Sequence, residues 1–272
     1  MKSSITIGAC DWALPGGGLY ATQIAAEVGL QALSLKVGLY ENDYPLTYPQ
    51  MQKFYLKEQQ TYGIEYCAIA LNDFDNIPMH AIKGTKEYDI VWGLLRRAVP
   101  TAKALGAQVI QVPAFAASEM TTEAELIRSA LALQYLCDEA GSYGISVASE
   151  NLMPPVSFKA LQRRVDRKNF YLYFDSQNYK LFRGYNQLHI LEELYPSMCP
   201  QLHVKDGTSA LSGSLLGTGS SSFFNTIDWL KEQEFTGYIL LENYYDRLPL
   251  RLQAENPYEL LREDIRILKK SL

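Results

Sequence analysis

The chain has 272 residues, of which 47% are hydrophobic and 20% are charged, so it is long enough to bury a full core. Its formal net charge of −5 argues against a nucleic-acid partner, since proteins that bind a phosphate backbone carry a basic surface. The same charge does not exclude a small anionic substrate held by one or two local cations.

The cysteines and the apolar segments bear on the compartment of the protein. Cys10, Cys67, Cys137 and Cys199 are scattered, which fits a reducing compartment better than a disulfide scaffold. The first residues contain no apolar stretch long enough for a signal peptide. Nowhere do 18 apolar residues follow one another, so no membrane-spanning helix is expected. We therefore expect a cytoplasmic protein without a membrane partner.

Short β-rich segments alternate with amphipathic helical segments along the chain. The starts of the β-rich segments lie about 33 residues apart, which is close to the length of a βα unit. In chain order the predicted strands are 4–12, 32–38, 65–71, 108–115, 145–151, 170–178, 201–207 and 238–245.

The segments between these strands have helical periodicity. Apolar residues keep i, i+3/i+4 spacing over 91–105, where Pro100 predicts a kink or a restart, and over 261–272. A glycine precedes five of the strands, where helices commonly close with a left-handed residue. Eight such units without a linker predict a single-domain (β/α)8 TIM barrel over residues 1–272. A nucleotide-binding sheet is disfavoured, because the chain has neither Gly-x-Gly-x-x-Gly after the first strand nor a Walker P-loop.

Charged residues close several apolar strands, and in this fold the active site forms at those ends. Glu150, Asp175, His203 and Glu242 end four consecutive strands. Three carboxylates at one mouth repel one another without a cation, and this donor set suits one divalent ion, Mn²⁺, Mg²⁺, Co²⁺ or Zn²⁺. Such an ion would ease removal of a proton beside a carbonyl, with a flanking carboxylate as base. A single acid at a strand end is most often a loop or capping residue, so the prediction depends on the set of four.

Aromatic residues close two other strands. Trp12 and Phe115 are candidates for the wall of a sugar pocket, although aromatic residues at such positions commonly serve packing alone. His80, in a predicted loop, and His189, in a predicted helix, are not expected in the site.

Four short motifs resemble the sugar phosphate isomerase/epimerase family, which has a xylose isomerase-like barrel. The motifs are SEN at 149–151, FDSQN at 174–178, HVKDG at 203–207 and LLEN at 240–243. The resemblance implies that Glu150, Asp175, His203 and Glu242 ligate one divalent metal ion. It also implies that Glu150 and Glu242 transfer protons on a small sugar, sugar phosphate or polyol through a metal-stabilised enediolate.

Residues next to these ligands give further expectations from the same resemblance. Lys205 and Asp206 match the family's Lys-Asp pair after the ligand histidine and are expected to contact substrate, with Lys205 placed to steady an oxyanion. Asn178 stands where sugar-epimerising members commonly carry a histidine; it can hydrogen-bond a hydroxyl group but cannot carry a proton. The glycine loop at 217–219 lacks the acid often found between the glycines. Its N–H groups could receive a phosphate, with Arg247 as a partner.

Three other functions are compatible with such a barrel. Dehydratases of the inosose or dehydroshikimate type also remove a proton beside a carbonyl, and the sequence does not separate them from epimerases. The endonuclease IV type needs a three-zinc cluster, for which the three histidines of this chain are too few. A barrel that binds metal without catalysis stays open, since fold does not entail function. Related barrels often pair, so a homodimer or homotetramer is compatible with the sequence, which does not determine the oligomeric state.

Overall fold

Eight parallel strands hydrogen-bond in chain order and close on themselves, with the last strand pairing with the first. The computed structural model describes residues 5–272, so the first residue of the predicted strand 4–12 lies outside the described residues. The strands are β1 (Ile5–Cys10), β2 (Ala32–Lys36), β3 (Glu65–Ala70), β4 (Val109–Ala114), β5 (Ser146–Asn151), β6 (Phe170–Asp175), β7 (Met198–Val204) and β8 (Gly237–Leu241). Because all of them run parallel, their carboxyl ends gather at one mouth. The predicted TIM barrel is confirmed.

Helices follow every strand and cover the barrel. Within residues 5–272 they are α1 (Ala21–Glu27), α2 (Pro49–Tyr62), α3 (Lys86–Leu105), α4 (Glu123–Gly141), α5 (Pro155–Val165), α6 (Asn178–Arg183), α7 (Gln187–Leu194), α8 (Phe223–Glu232) and α9 (Pro257–Ser271). Each buries one apolar face, as α9 does with Leu261, Ile265 and Leu268. None of these described helices is both long and apolar enough to cross a membrane.

Two predicted elements differ from the structure for local reasons. α3 continues through Pro100 as one helix, so the predicted restart is wrong; its long apolar stripe packs on the barrel on both sides of the proline. The predicted strand 170–178 ends early, at Asp175. Its Oδ1 accepts the backbone N–H groups of Gln177 (2.9 Å) and Asn178 (2.7 Å), which turns the chain into α6.

Glycine closes helices before strands as predicted, with one exception. Gly63 and Gly106 take the left-handed conformation at the ends of α2 and α3, with φ of 69° and 74°. Gly237 caps no helix; it begins β8 with φ of 139°, and a Cβ there would lie 2.1 Å from the carbonyl oxygen of Pro200. Glycine is needed at this position because β7 and β8 approach each other closely.

Buried apolar side chains form two groups. The larger group joins the inner faces of the helices to the strands and includes Leu94 of α3. The smaller group contains Cys10, Tyr173 and Cys199. It lies directly against the mouth, since the ring centroid of Tyr173 is 4.6 Å from that of His203. The polar residues at the mouth of the barrel therefore pack on this small apolar group.

Asp264 of α9 joins the last helix to two segments at the mouth. Its Oδ1 accepts the N–H of Leu216 (2.8 Å), and its Oδ2 accepts Nδ2–H of Asn243 (2.7 Å) and the hydroxyl of Tyr245 (3.0 Å). Burial raises the pKa of Asp264 to about 7, although these hydrogen bonds act to lower it. Because Asn243 directly follows Glu242, this contact fixes the chain where β8 ends.

The variant Asp264→Asn is expected to lower the free energy of unfolding by about 2 kcal/mol at pH 5, because its Nδ2 cannot accept one of the three donors. A folded-state pKa above the unfolded value means that the folded form holds the proton more tightly. The stability contributed by that proton is present at low pH and is lost as the pH rises through about 7. The destabilisation by the variant should therefore shrink between pH 5 and pH 8, as measured by urea unfolding.

The matched control for this measurement is Asp228→Asn on α8, where the aspartate side chain is 70% exposed. Both variants replace an aspartate by the same isosteric amide, so they differ in the burial of the side chain. The control should change the free energy of unfolding by less than about 0.5 kcal/mol at either pH. A loss for Asp264→Asn that grows as the pH rises would contradict the burial cost assigned to Asp264.

Candidate active site

The four predicted metal ligands lie together at the mouth of the barrel. Glu150 lies in β5, Asp175 ends β6, His203 lies in β7, and Glu242 directly follows β8. One ligand atom from each lies within 4.8 Å of the others, and all four side chains are buried. Asp175 pairs with His203 in the register of β6 with β7, which sets these two at one level. Four neighbouring strands thus deliver one compact cluster.

His203 stands among the acids with its two ring nitrogens facing different groups. Its Nδ1 is 3.2 Å from Oε2 of Glu242 and 3.5 Å from Oε2 of Glu150. Its Nε2 is 3.2 Å from Sγ of Cys10. Burial acts to lower the pKa of His203, but Cys10 and Glu242 raise it well above its ordinary value. The edge of the ring that carries Nδ1 therefore points toward both glutamates.

Both carboxylate oxygens of Glu242 have a hydrogen-bond donor. Its Oε1 accepts Nε1–H of Trp12 at 2.9 Å, and its Oε2 lies 2.5 Å from Nζ of Lys205. The same Nζ is 3.1 Å from Oδ2 of Asp175, so one buried ammonium bridges two acids. Burial acts to raise the pKa of Glu242, but His203 and Lys205 hold it well below its ordinary value. For Asp175, burial outweighs Lys205 and raises the pKa.

Glu150 is held by two amides. Nδ2–H of Asn178 donates to Oε1 at 3.0 Å, and Nε2–H of Gln111 donates to Oε2. Asn178 thus lies beside the cluster and also in the cavity wall, where its predicted contact with substrate stays a prediction. The sequence pattern did not single out Gln111, because the β4 segment VIQVPA has the apolar character of a buried strand. The available signal was the glutamine itself, since a polar side chain buried in such a strand needs a partner.

The buried polar atoms of the cluster fit a divalent cation. Nδ1 of His203 and Oδ2 of Asp175 are buried, and among residues 5–272 neither makes a hydrogen bond of acceptable geometry, which is uncommon for buried polar atoms. Their close polar neighbours are charged groups: two carboxylates at 3.2 and 3.5 Å from Nδ1, and the ammonium of Lys205 at 3.1 Å from Oδ2. Three carboxylates and one imidazole are donors that Mn²⁺, Mg²⁺, Co²⁺ and Zn²⁺ accept. Glu150, Asp175, His203 and Glu242 therefore form a candidate site for one such ion.

A cavity of about 520 Å³ opens over the cluster and includes Glu150 and Glu242 in its wall. Trp12 and Phe115 line this cavity, as does Lys205. Its volume lies within the range of sites for small molecules. The mouth of the barrel can therefore hold a substrate of sugar size in contact with both glutamates.

Asp206 lies under the glycine loop rather than in a position to bind substrate. Its Oδ1 accepts the N–H groups of Gly207 (2.8 Å) and Ser221 (3.0 Å), and its Oδ2 accepts those of Gly217 (2.9 Å) and Gly219 (3.0 Å). A Cβ on Gly219 would lie 2.3 Å from Oδ1, so the loop needs glycine there. The predicted substrate contact by Asp206 is therefore corrected to a structural role. The N–H groups predicted to receive a phosphate bind this carboxylate instead.

Three other residues considered from the sequence lie outside the cluster. The guanidinium of Arg247 stacks over the ring of Tyr244 at 4.3 Å. Nε2 of His80 lies 3.3 Å from a backbone carbonyl oxygen, and His189 belongs to α7. Across residues 5–272, the groups of potential metal ligands contain His203 and no second histidine. A three-zinc cluster is therefore not built by these residues.

Known proteins resemble this chain over most of its length. The 2-epi-5-epi-valiolone 7-phosphate 2-epimerase of an Actinoplanes species is 28% identical over 252 residues, which are 92% of this chain and 91% of that protein. The crystal structure of D-allulose 3-epimerase from Methylomonas sp. matches with a TM-score of 0.75 and 18% identity over 99% of each chain. The IolI protein with a bound zinc atom matches with a TM-score of 0.72 and 16% identity, over 98% of this chain and 99% of that chain. These two structural matches show a shared fold.

The family is shown by a match that runs from the first helix to the last. A family model described as a xylose isomerase-like TIM barrel matches residues 22–271. The matched range contains Glu150, Asp175, His203 and Glu242, together with the amides that hold Glu150. The chain therefore belongs to the xylose isomerase-like TIM barrel family.

Proposed function

We propose that this protein is a divalent-metal-dependent epimerase or isomerase of a small sugar, sugar phosphate or polyol. One observation carries the proposal: Oε2 of Glu150 and Oε2 of Glu242 lie 3.5 Å and 3.2 Å from the same ring nitrogen of His203. The glutamates come from β5 and β8, so two carboxylates can reach one substrate carbon from different sides. The 28% identical relative, named as an epimerase of a phosphate ester, supports this reaction class.

A divalent ion would be held by Glu150, Asp175, His203 and Glu242. When bound, it supplies positive charge that polarises a carbonyl or hydroxyl oxygen of the substrate and so lowers the barrier to breaking the adjacent C–H bond. The side chains around the ligands keep the carboxylates in place. Trp12 does so for Glu242, as the two amides do for Glu150.

Proton transfer is the chemistry that the two glutamates perform. One carboxylate removes the proton from the carbon beside the carbonyl and leaves an enediolate. The other, in its protonated form, returns a proton to the opposite face of that carbon, which inverts it, or to the neighbouring carbon, which isomerises the sugar. The direction of the reaction decides which glutamate acts as base. Lys205, with Nζ at 2.5 Å from Glu242, is placed to donate to the developing oxyanion.

The cavity wall contains four acids, Asp75, Glu119, Glu150 and Glu242, and three cations, and one of these cations is available to bind an anionic group of the substrate. Lys36, Arg183 and Lys205 line the cavity; Arg183 pairs with Glu119, and Lys205 with Glu242. Lys36 is exposed, and within residues 5–272 no carboxylate oxygen lies within 4.0 Å of its ammonium. Lys36 is therefore the proposed contact for a phosphate group on the substrate, in keeping with the phosphate ester in the name of the relative.

Chelation of divalent metal should abolish exchange of the substrate C–H proton, and added Mn²⁺ or Co²⁺ should restore it, because the acidity of that carbon depends on the ion. The measurement is deuterium incorporation in D₂O followed by NMR, with 2-epi-5-epi-valiolone 7-phosphate and D-allulose as test substrates. Elemental analysis of the treated protein serves as the control. Full exchange by protein shown to contain no metal would contradict metal dependence.

Glu150→Gln and Glu242→Gln should each lower kcat by at least about a hundredfold, because an amide cannot accept the proton. The exposed residue Glu232 on α8 provides the control variant, Glu232→Gln, which should turn over at the wild-type rate. Turnover that survives either replacement would rule out the two-glutamate mechanism. A product that has lost one water would show the dehydratase reaction instead.

Lys36→Gln should raise KM for a phosphorylated substrate about tenfold while leaving kcat nearly unchanged, because a charge-assisted contact to the phosphate is lost. The KM for the same compound without its phosphate should not change. Lys57→Gln on α2, which removes an exposed lysine far from the barrel mouth, is the matched control. Equal changes in KM for both compounds would show that Lys36 does not bind the phosphate group.

A further inference from the structure

The residue behind His203 is Cys10, the last residue of β1. Its Sγ lies 3.2 Å from Nε2 of His203, at hydrogen-bond distance for sulfur, and both side chains are completely buried. The other ring nitrogen, Nδ1, faces Glu150 and Glu242. The imidazole thus has a thiol at one nitrogen and the ligand cluster at the other.

Packing holds the ring of His203 in this orientation. The ring of Tyr173 lies 4.6 Å away, tilted by 58°, and that of Trp12 lies 6.0 Å away at 77°. A half-turn of the imidazole about its Cβ–Cγ bond would place carbon atoms where Nδ1 and Nε2 now stand. Both the contact to Cys10 and the contacts to the acids would then be lost. The observed orientation is therefore the one in which Nε2 contacts Cys10 and Nδ1 contacts the acids.

We propose that Cys10 is a positioning residue that fixes the tautomer of His203 for metal binding. An imidazole that ligates a metal through one nitrogen carries its proton on the other, and that N–H needs an acceptor. Here Nε2–H donates to Sγ of Cys10, so the lone pair of Nδ1 points to the ligand cluster. This inference rests on the proposed metal site, and it adds β1 to a site whose ligands come from β5 to β8.

A neutral thiol suits this position better than the carboxylate that often orients a ligand histidine. The cluster already contains the carboxylates of Glu150, Asp175 and Glu242. A fourth buried negative charge beside them would add repulsion in a region of low dielectric. A thiol is a weak acceptor, so it fixes the position of the proton without adding charge.

The test is calorimetric titration of chelator-treated protein with Mn²⁺. Cys10→Ala removes the acceptor, and the affinity for Mn²⁺ should fall about tenfold or more, as is usual when a group that orients a ligand is lost. Cys10→Ser supplies an acceptor oxygen and should recover most of that affinity. Cys10→Val fills the space of the sulfur without accepting a hydrogen bond, and it gives the same measurement where the alanine variant does not fold.

The matched control is Cys199→Ala. Cys199 is equally buried in the same apolar group, but its Sγ contacts the carbonyl oxygen of Gln201 at 3.3 Å and not His203. Both alanine variants should lower the Tm of the metal-free protein, since each leaves a small cavity. The affinity for Mn²⁺ should fall in Cys10→Ala and stay at the wild-type value in Cys199→Ala.

The Mn²⁺ affinities of these variants test the positioning role of Cys10 separately from the proposed function. Unchanged Mn²⁺ affinity in Cys10→Ala and Cys10→Val, or equal losses in Cys10→Ala and Cys199→Ala, would overturn the positioning role and leave the proposed function intact. The same holds if Cys10→Ser binds Mn²⁺ no better than Cys10→Ala. A wild-type protein that binds no Mn²⁺ would overturn both the positioning role and the proposed metal-dependent function.

Discussion

The burial of Glu150, Asp175 and Glu242 side by side is the constraint that the rest of the mouth must satisfy. Carboxylates this close cannot all ionise in a low-dielectric site unless positive charge or hydrogen-bond donors compensate them. Lys205 bridges two of them, and two amides hold the third. Nδ1 of His203 faces Glu242 and Glu150 at 3.2 and 3.5 Å. A divalent ion held by these four side chains would add positive charge that all three carboxylates share.

Two of the other buried acids, Asp206 and Asp264, differ from the cluster in how their charge is compensated. Asp206 is surrounded by four backbone N–H groups, and Asp264 by three donors, so neutral dipoles satisfy both carboxylates. Glu242 and Asp175 instead share one ammonium. Asp206 and Asp264 hold loops in place through these hydrogen bonds. Glu242 and Asp175 share one cation, so they are the acids that can accept a further cation or a proton.

This distinction also explains how far the sequence could predict the site. The clustering of Glu150, Asp175, His203 and Glu242 was predictable because the same feature, a polar residue closing an apolar strand, recurs in four consecutive units. The barrel itself followed from the repeated pattern of strands and helices. Gln111 and Cys10 lie within or at the end of strands whose apolar pattern hides them. Asp206 was misassigned because its partners arrive from a loop 11 to 15 residues further along the chain. No local pattern shows which buried acid a distant loop will cover.

Asn178 shows how these constraints bear on specificity. Its backbone N–H binds Asp175 and its side-chain N–H binds Glu150, so both of its donors are directed at the ligands. In this chain the residue is therefore occupied with orienting two acids. Contacts that discriminate between substrates must then come from other parts of the cavity wall. Among residues 5–272, Lys36 on the β2 side is the cation of the cavity wall without a carboxylate partner. Under the proposed function, recognition would then depend on a charged group of the substrate at this side of the mouth.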